Sequence, residues 1–321
     1  MIKLVWRTDV HMADRGPASR VDDWTETVLD KLAQVRDVAR KEKAVAVIDG
    51  GDFFHVKSPS RNTHETIRRV ADLHATYPCP VYCTPGNHDS VYGDYNFLGQ
   101  QPLGVLFSTG VFKKLYHEHE ATFTEGGVKV RVVGIPYHGP KYNMGLFHDI
   151  ERGDEDVLIC TAHVLASEKG GSMFEGEDIV RYSDLLDTAP DVYCFGHWHK
   201  DQGVEELGGK HFINIGSLTR GALSQDEVQR RPACAIIECT KAGATVKVHR
   251  LKVKPAEEVF DVEGRARQVR QQMEMDSFVE KIRESLEPSA EEASMEDEVG
   301  KMEDVPEEVR EKALFYMEQA E

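Results

Sequence analysis

The stretch Gly86-Asn87-His88-Asp89 follows an apolar run at residues 81–84 and places an amide, an imidazole and a carboxylate side by side. Further segments of the same construction carry metal-ligand side chains directly after a short apolar run. They are Asp9-Val10-His11, Gly51-Asp52, Ala162-His163 and Gly196-His197-Trp198-His199. Because ligands at the carboxyl ends of strands meet at one edge of an α/β sheet, these segments predict a shared site for two divalent ions.

Short apolar runs of the kind that form buried β-strands recur along the chain. The predicted strands are residues 2–6, 44–48, 81–84, 128–135, 157–161, 192–195, 211–215, 233–239 and 245–253. Helical periodicity lies between the early strands, with one apolar stripe within residues 24–39 and a shorter one within residues 67–74. Strand–helix alternation followed by a strand-rich second half predicts an α/β layered fold with a mixed sheet or sheets.

The net charge of −17 is concentrated at the C-terminus. Residues 285–321 contain thirteen Asp and Glu against three Lys and Arg, so this segment carries −10 and residues 1–284 carry −7. A protein that coats nucleic acid by bulk positive charge is therefore disfavoured. Phosphodiester substrates are still compatible, since two divalent ions would make the site itself locally positive.

The composition favours a reducing compartment. The six cysteines form no Cys-x-x-Cys pair, and most of them lie in or beside apolar runs, which predicts buried free thiols rather than a disulfide framework. The N-terminus enters a strand-like segment directly, so no signal peptide is predicted. No apolar run approaches the roughly 20 residues of a membrane span, and we expect a cytoplasmic protein without membrane contact.

The composition changes after residue 254. Residues 1–254 are predicted to form one domain, and residues 255–321 a helical extension. Within the extension, residues 263–286 resemble a charged helix, residues 288–300 an acidic linker, and residues 304–319 an amphipathic helix with Pro306 near its first turn. The terminal helix could bind a partner in a groove, or fold back onto its own core or onto a second copy of the chain.

The ligand spacing suits two ions. Asp9 and His11 stand two apart in an extended segment, so both can face one ion, and His197 and His199 repeat that spacing. A carboxylate such as Asp52 can bridge two cations. With Asn87 and His163 the set comprises three oxygen donors and four imidazoles, which suits Mn²⁺, Fe²⁺, Zn²⁺ or Co²⁺ and is wrong for Ca²⁺.

Each motif alone has an ordinary structural explanation. An Asp-x-His pair is weak, Gly-Asp runs are usually turns, and a lone histidine after a strand is more often structural. The order and strand-end placement of all five segments together are what favour a metal site.

The five motifs, from Asp9 to His199, resemble those of the calcineurin-like metallophosphoesterase superfamily. The resemblance implies an α/β fold with four layers, in which two packed mixed β-sheets are flanked by helices, here with a short helical C-terminal extension. It also implies hydrolysis of phosphoester bonds at two divalent ions, for which we expect Mn²⁺.

A narrower resemblance starts at Asp52, which is followed by Phe53-Phe54-His55. This segment is similar to that of SbcD-type DNA nuclease subunits, as is the stretch at residues 213–220. Protein Ser/Thr phosphatases carry GDxVDRG and GNHE instead, and both are absent. The resemblance fades after about residue 253, so the large DNA-capping domain of long members is expected to be reduced to one or two helices.

The resemblance assigns roles to these residues. The first ion is expected on Asp9, His11, Asp52 and His199, and the second on Asp52, Asn87, His163 and His197. His88 is expected to protonate the leaving oxygen, Asp89 to orient His88 or its loop, and His55 to contact the phosphate.

The SbcD-type resemblance also implies partners and a setting. We expect DNA as substrate, with exonuclease and endonuclease activity, and an SbcC-type coiled-coil ATPase bound through the C-terminal helices. A homodimer acting in DNA repair or recombination, in a bacterial or phage-infected cytoplasm, completes this prediction. The alternatives are a nucleotide or small-molecule phosphodiesterase and a non-catalytic docking subunit.

Overall fold

A computed structural model describes residues 1–56, 62–91, 94–169, 176–285, 299, 302 and 305–318. The strands, in chain order, are β1 Ile2–Arg7, β2 Ala46–Asp49, β3 Val81–Cys83, β4 Phe112–Lys114, β5 Ala121–Glu125, β6 Val128–Ile135, β7 Val157–His163, β8 Val192–Gly196, β9 Asp201–Leu207, β10 Lys210–Ile215, β11 Ala233–Thr240 and β12 Gly243–Arg250. The α-helices are α1 Trp24–Glu42, α2 His64–His74, α3 Pro102–Ser108, α4 Gly145–His148, α5 Gln225–Gln229, α6 Ala256–Val259, α7 Val262–Ser285 and α8 Glu307–Glu318. Single 3₁₀ segments lie at Tyr95–Gln100 and Tyr182–Leu185.

Two six-stranded mixed sheets form the centre of the fold, as predicted. The first has the order β12-β11-β1-β2-β3-β4 and the second the order β5-β6-β7-β8-β10-β9. Strands β1 to β4 run parallel in the first sheet, and β6, β7, β8 and β10 run parallel in the second. Each sheet therefore has one edge at which several carboxyl ends meet.

The alternation of side chains along β1 shows how the layers are held together. Leu4 and Trp6 enter a buried apolar cluster that includes residues of both sheets, so the sheets pack face to face through it. Val5, which points to the opposite face, joins a second cluster with α1 and α2. The resulting order of helices, sheet, sheet and outer connections is the four-layer arrangement predicted above.

Helix α1 forms where the apolar stripe predicted it. Asp23 is its N-cap and accepts a hydrogen bond from the backbone N–H of Glu26. The stripe residues are all buried, and they are Trp24, Val28, Leu32, Val35 and Ala39. All six cysteines carry free thiols, and five of them are buried.

The chain divides into two compact units, Met1–Phe260 and Asp261–Glu321. The first unit includes α6, whose residues the sequence analysis assigned to the extension. In the second unit, α7 has 24 residues and α8 has 12. Most of the predicted acidic linker, and residues 304 and 319 of the predicted terminal helix, lie outside the described residues. None of the described helices is long and apolar enough to cross a membrane.

Candidate metal centre

The predicted ligands gather where the parallel strands of the two sheets end. Asp9 and His11 follow β1, and their backbone N–H groups donate to the carbonyls of Gly51 and Asp52 after β2, each at 2.9 Å. His163 is the last residue of β7, and Gly196 is the last of β8. The convergence of both sheet edges brings together side chains that are up to 190 residues apart in sequence.

Backbone strain is concentrated at these ligands. Asp9, His11 and Asp52 have φ angles of 52°, 51° and 52°, and His197 has 82°. A non-glycine residue in this left-handed region costs on the order of 1–3 kcal/mol and persists only where the surroundings hold it. Four of the seven predicted ligands are therefore held in conformations that local sequence preferences disfavour, which is typical of functional sites.

The first half of the cluster contains Asp9, His11, Asp52 and His199, whose ligand atoms all lie within 4.8 Å of one another. The Nε2 atoms of His11 and His199 are 2.9 Å apart. Asp9 Oδ1 lies 3.6 Å from His199 Nε2, and Asp52 Oδ2 lies 3.7 Å from His11 Nε2. This is the set predicted for the first ion.

The second half contains Asp52, His163 and His197, again within 4.8 Å of one another. Asn87 Oδ1 lies 3.2 Å and Asp52 Oδ2 lies 3.3 Å from His163 Nε2. His163 Nδ1 lies 2.8 Å from the carbonyl oxygen of Gly50, which can only accept, so Nδ1 carries the proton. Loss of the remaining proton would place the lone pair on Nε2, as a metal ligand requires.

The side chains present fit a pair of divalent ions. Asp52 Oδ2 is buried and has no hydrogen-bond partner among the described residues, although it lies between the two halves. A Cβ atom on Gly86 would come within 2.1 Å of Asp52 Oδ1, so glycine there is what allows the loop to approach. An oxygen and imidazole set without thiolate matches first-row divalent metals.

The pKa directions at His11 and Asp52 agree with ligation, whereas Asp52 raises the pKa of His163 to about 10 against the effect of burial, so His163 has to release a proton to bind a metal ion. Burial lowers the pKa of His11 well below its usual value, and the nearby His199 lowers it further. Burial opposes the charge of Asp52, yet His163 and the neighbouring histidines hold the pKa of that carboxyl well below its usual range. A neutral imidazole and an ionised carboxylate are the forms that bind metal.

His88 and His55 lie side by side next to the first half. Their rings stack with centroids 4.6 Å apart and an interplanar angle of 24°. The His11 ring packs edge-on against His88 at 4.9 Å. The backbone N–H of His88 donates to Asp52 Oδ1 at 2.7 Å, which ties the position of His88 to that of a metal ligand.

Asp89 is buried behind the site and binds backbone. Its Oδ1 accepts from the N–H of Phe54 at 2.8 Å, and its Oδ2 accepts from the N–H of Gly86 at 2.9 Å. Burial and the negative charge of Asp52 raise the pKa of Asp89 to about 8. Asp89 therefore joins the loop that carries Asp52 and His55 to the loop that carries Asn87 and His88.

Sequence reasoning missed two residues at the second half. Glu177 Oε1 lies 3.0 Å from His197 Nε2, and the ring of Tyr137 packs against His197 at 5.2 Å and against His163 at 6.3 Å. Glu177 lies in an irregular connection without ligand spacing. Tyr137 follows the long apolar strand β6. Its position after the end of that strand was the only indication in the sequence that Tyr137 could lie at the site.

Two cavities border the cluster. One, of about 550 Å³, is lined by both halves together with His55 and His88, and the cationic side chains of Arg15 and Lys200 also line it. The other, of about 1210 Å³, reaches Asn87 and is lined by Tyr95 and Tyr137. Of the predicted ligands, Asn87 therefore borders the larger cavity, and His11, Asp52, His197 and His199 border the smaller one.

Comparison with known proteins identifies the family. Residues 2–201 match the family described as Calcineurin-like phosphoesterase. The DNA double-strand break repair protein Mre11 of Sulfolobus acidocaldarius is 22% identical over 290 residues, which cover 89% of this chain and 69% of that protein. These matches agree with the predicted superfamily and with its SbcD-type branch.

Similar solved structures include a dimetal phosphatase from Danio rerio, with a TM-score of 0.49, 12% identity, and coverage of 78% of this chain and 96% of that one. A novel archaeal phosphodiesterase has a TM-score of 0.38 and 14% identity, with coverage of 77% of this chain and 100% of that one. The family match spans well over half of the chain. The chain belongs to the calcineurin-like phosphoesterase family, and it is a hydrolase that acts on phosphoester bonds.

Proposed function

We propose that the chain is a DNA nuclease that requires two divalent metal ions and hydrolyses phosphodiester bonds. The observation that carries the proposal is the stacked pair of His55 and His88 beside the first half of the metal cluster. A phosphodiester needs a proton donor for its leaving oxygen and a contact to its non-bridging oxygens, and this pair offers two imidazoles for these tasks. The relation to Mre11 over 89% of the chain supports DNA as the substrate.

The two ions, for which we propose Mn²⁺, are held by the two halves. Asp9, His11 and His199 would hold one, Asn87, His163 and His197 would hold the other, and Asp52 would contribute to both. When bound, two such ions neutralise phosphoryl charge and make water a stronger nucleophile at neutral pH.

The protein side chains orient the substrate and move the proton. His88, fixed by its backbone bond to Asp52, protonates the leaving oxygen as the phosphorus–oxygen bond breaks. His55 contacts the phosphate. Arg15 lines the same cavity and supplies positive charge for neighbouring phosphates of the strand, whereas Lys200 in that cavity pairs with Asp226 at 3.0 Å. Asp89 holds the loop of Phe54 and the loop of Gly86 in a fixed relative position by accepting a hydrogen bond from each.

The wider setting is proposed from the same relatives. The printed name of the Sulfolobus relative places that protein in double-strand break repair. By analogy, this chain acts on DNA ends in repair or recombination, as exonuclease and endonuclease, in a bacterial or phage-infected cytoplasm. The helices α7 and α8 bind an SbcC-type ATPase, and the chain forms a homodimer.

A second candidate is a phosphodiesterase for nucleotides or small molecules. The acidic balance of the chain favours it, because a net charge of −17 repels long polyanions. A third candidate, a non-catalytic docking subunit, is disfavoured by the complete ligand set and by the presence of His88.

The test compares wild type with His88→Ala on end-labelled linear duplex and single-stranded DNA with Mn²⁺, with bis-p-nitrophenyl phosphate as the control substrate. We expect DNA cleavage by the wild type, and a loss of about 10²–10⁴-fold in the variant with metal content unchanged. Hydrolysis of the small diester with intact DNA would favour the phosphodiesterase. Wild-type turnover by His88→Ala would exclude His88 as the acid.

A further inference from the structure

Glu177 is a carboxylate beside the second half that the family motifs do not include. Its side chain is only 10% exposed, and Oε1 lies 3.0 Å from His197 Nε2. Tyr142 donates its hydroxyl hydrogen to the same Oε1 at 2.7 Å. A nearly buried carboxylate with these two partners is held in one place, and it meets His197 on a defined ring nitrogen.

This contact decides the tautomer of His197. An ionised carboxylate can only accept hydrogen bonds, so Nε2 of a neutral His197 carries the proton and Nδ1 carries the lone pair. A neutral His163 in the same half has the opposite arrangement, because its Nδ1 donates to the Gly50 carbonyl and Nε2 then carries the lone pair. The two imidazoles of the second half are thus fixed by two different acceptors.

Glu177 is itself fixed from the His163 side. The hydroxyl of Tyr142 accepts a hydrogen bond from the backbone N–H of Leu165 at 2.9 Å, and Leu165 stands two residues after His163. A continuous path of hydrogen bonds therefore runs from the strand end that carries one ligand, through Tyr142 and Glu177, to the ring of the other. Movement of either strand end would be transmitted to His197.

We infer that Glu177 is a positioning residue for the second ion, which holds His197 with its proton on Nε2 so that Nδ1 is the nitrogen available to the metal. The inference rests on the proposed two-ion site. It predicts that the carboxylate acts through a hydrogen bond and not through its charge. A ligand role for Glu177 would instead place its oxygen on the ion, where the loss of the negative charge weakens binding.

The matched set of variants is Glu177→Ala, which removes the acceptor, and Glu177→Gln, which keeps an acceptor oxygen without the charge. Asp178→Asn is the control for the loss of one negative charge, because Asp178 follows in the same connection, binds the exposed Lys141 at 2.7 Å, and accepts from the backbone N–H of Tyr142 at 3.3 Å through an acceptor that asparagine can retain. Near-UV circular dichroism of each metal-free variant establishes that it is folded.

The first readout needs neither metal nor activity. Imidazole ¹⁵N shifts of the metal-free protein, recorded well above the ordinary histidine pKa of about 6.5, report the tautomer of His197. We expect the Nε2–H form in wild type, Glu177→Gln and Asp178→Asn, and a mixture of tautomers in Glu177→Ala. An Nδ1–H form in wild type, or an unchanged tautomer in Glu177→Ala, would overturn the inference.

The second readout is titration of the metal-free proteins with Mn²⁺ by calorimetry. We expect Glu177→Ala to bind one ion normally and the other about 10–100-fold more weakly. Glu177→Gln should lie close to wild type. A Glu177→Gln variant as weak as Glu177→Ala would show that the charge is required and overturn the positioning role, and wild-type affinity in Glu177→Ala would overturn it as well. If wild type bound both ions but cleaved no DNA, the nuclease proposal alone would fail.

Discussion

The two halves of the metal cluster differ in how much solvent they meet. The His199 side chain in the first half is 49% exposed, whereas the His163 side chain in the second is fully buried. The first half borders His55 and His88, and its His11 and His199 line the smaller cavity together with His197 of the second half. The second half lies under the ring of Tyr137, with each imidazole tied to an acceptor.

Because of this difference in exposure, we expect one half to hold its ion firmly and the other half to admit the substrate. A buried imidazole must have its N–H satisfied, and His163 meets that requirement with the Gly50 carbonyl. An exposed ligand such as His199 has water as an alternative partner and leaves room for a substrate. We therefore expect the second half to be preorganised and the first half to be the side on which the phosphate and the ion are exchanged.

The largest effect is expected at the residue that the halves share. Asp52→Ala removes the buried oxygen that lies 3.3 Å from His163 and 3.7 Å from His11. Both ions lose a ligand, so phosphoester hydrolysis should fall to the background rate and metal content to less than one ion per chain. Measurement of metal content by mass spectrometry, with turnover of bis-p-nitrophenyl phosphate, tests this, and a variant that kept two ions would show that Asp52 is not shared.

Replacement of one histidine in each half by alanine tests the difference in burial directly. His163→Ala should lose an ion and also destabilise the metal-free fold by about 1–3 kcal/mol, because the Gly50 carbonyl loses its buried donor. His199→Ala should lose an ion with little change in the stability of the metal-free protein, since its side chain is half exposed. Urea unfolding of both metal-free variants measures the difference, and equal stabilities would remove the distinction between the halves.

A smaller effect on turnover is expected at Asp89, which joins the loop that carries Asp52 to the loop that carries Asn87. Asp89→Asn offers one acceptor oxygen where two backbone N–H groups, those of Phe54 and Gly86, need acceptors. Turnover should fall by about 10–100-fold while both ions stay bound. Asp94→Asn is a suitable control, because Asp94 caps the following 3₁₀ segment and asparagine caps equally well. Unchanged turnover in Asp89→Asn would mean that the loops keep their register without it.

The smallest effect is expected at a buried histidine outside the cluster. His74 bonds Arg7 and the Val70 carbonyl, and burial, followed by the charge of Arg7, lowers its pKa well below the usual value. Below about pH 6.5 the unfolded chain therefore binds the extra proton first, and the free energy of unfolding decreases by up to about 1.4 kcal/mol per pH unit.

Urea unfolding of metal-free wild type and of His74→Gln between pH 7.5 and 5 measures the contribution of His74 to the pH dependence of the free energy of unfolding. The glutamine oxygen still accepts from Arg7, but the side chain does not titrate. The pH dependence should be shallower in the variant, with activity at neutral pH unchanged. Parallel curves would show that His74 does not contribute.

Most of the strands that could be predicted contain several buried apolar residues, and the exposed edge strand β12 was predicted from its apolar run at residues 245–253. Strand β6 forms over the residues predicted for it, and β7 extends the predicted run by two residues to include His163. The three strands that were missed are at sheet edges. Only the first residue of β4 and of β5 is buried, and β9 has no fully buried residue, so their pairing comes from neighbouring strands and not from an apolar pattern.

The ligand side chains and the order of their motifs were determined by the sequence alone, because metal chemistry restricts the residue types and a strand end restricts their placement. The tertiary structure decided how these side chains divide into two halves, that His163 is buried while His199 is half exposed, and which ring nitrogens of His163 and His197 meet the Gly50 carbonyl and Glu177. It also brought in Glu177, for which no local pattern exists, and Tyr137, for which the end of β6 was the sequence sign. The physical reason is that sheet packing, left-handed backbone at four ligands and hydrogen bonds between distant segments set these relations, and none of them is encoded within a short stretch of chain.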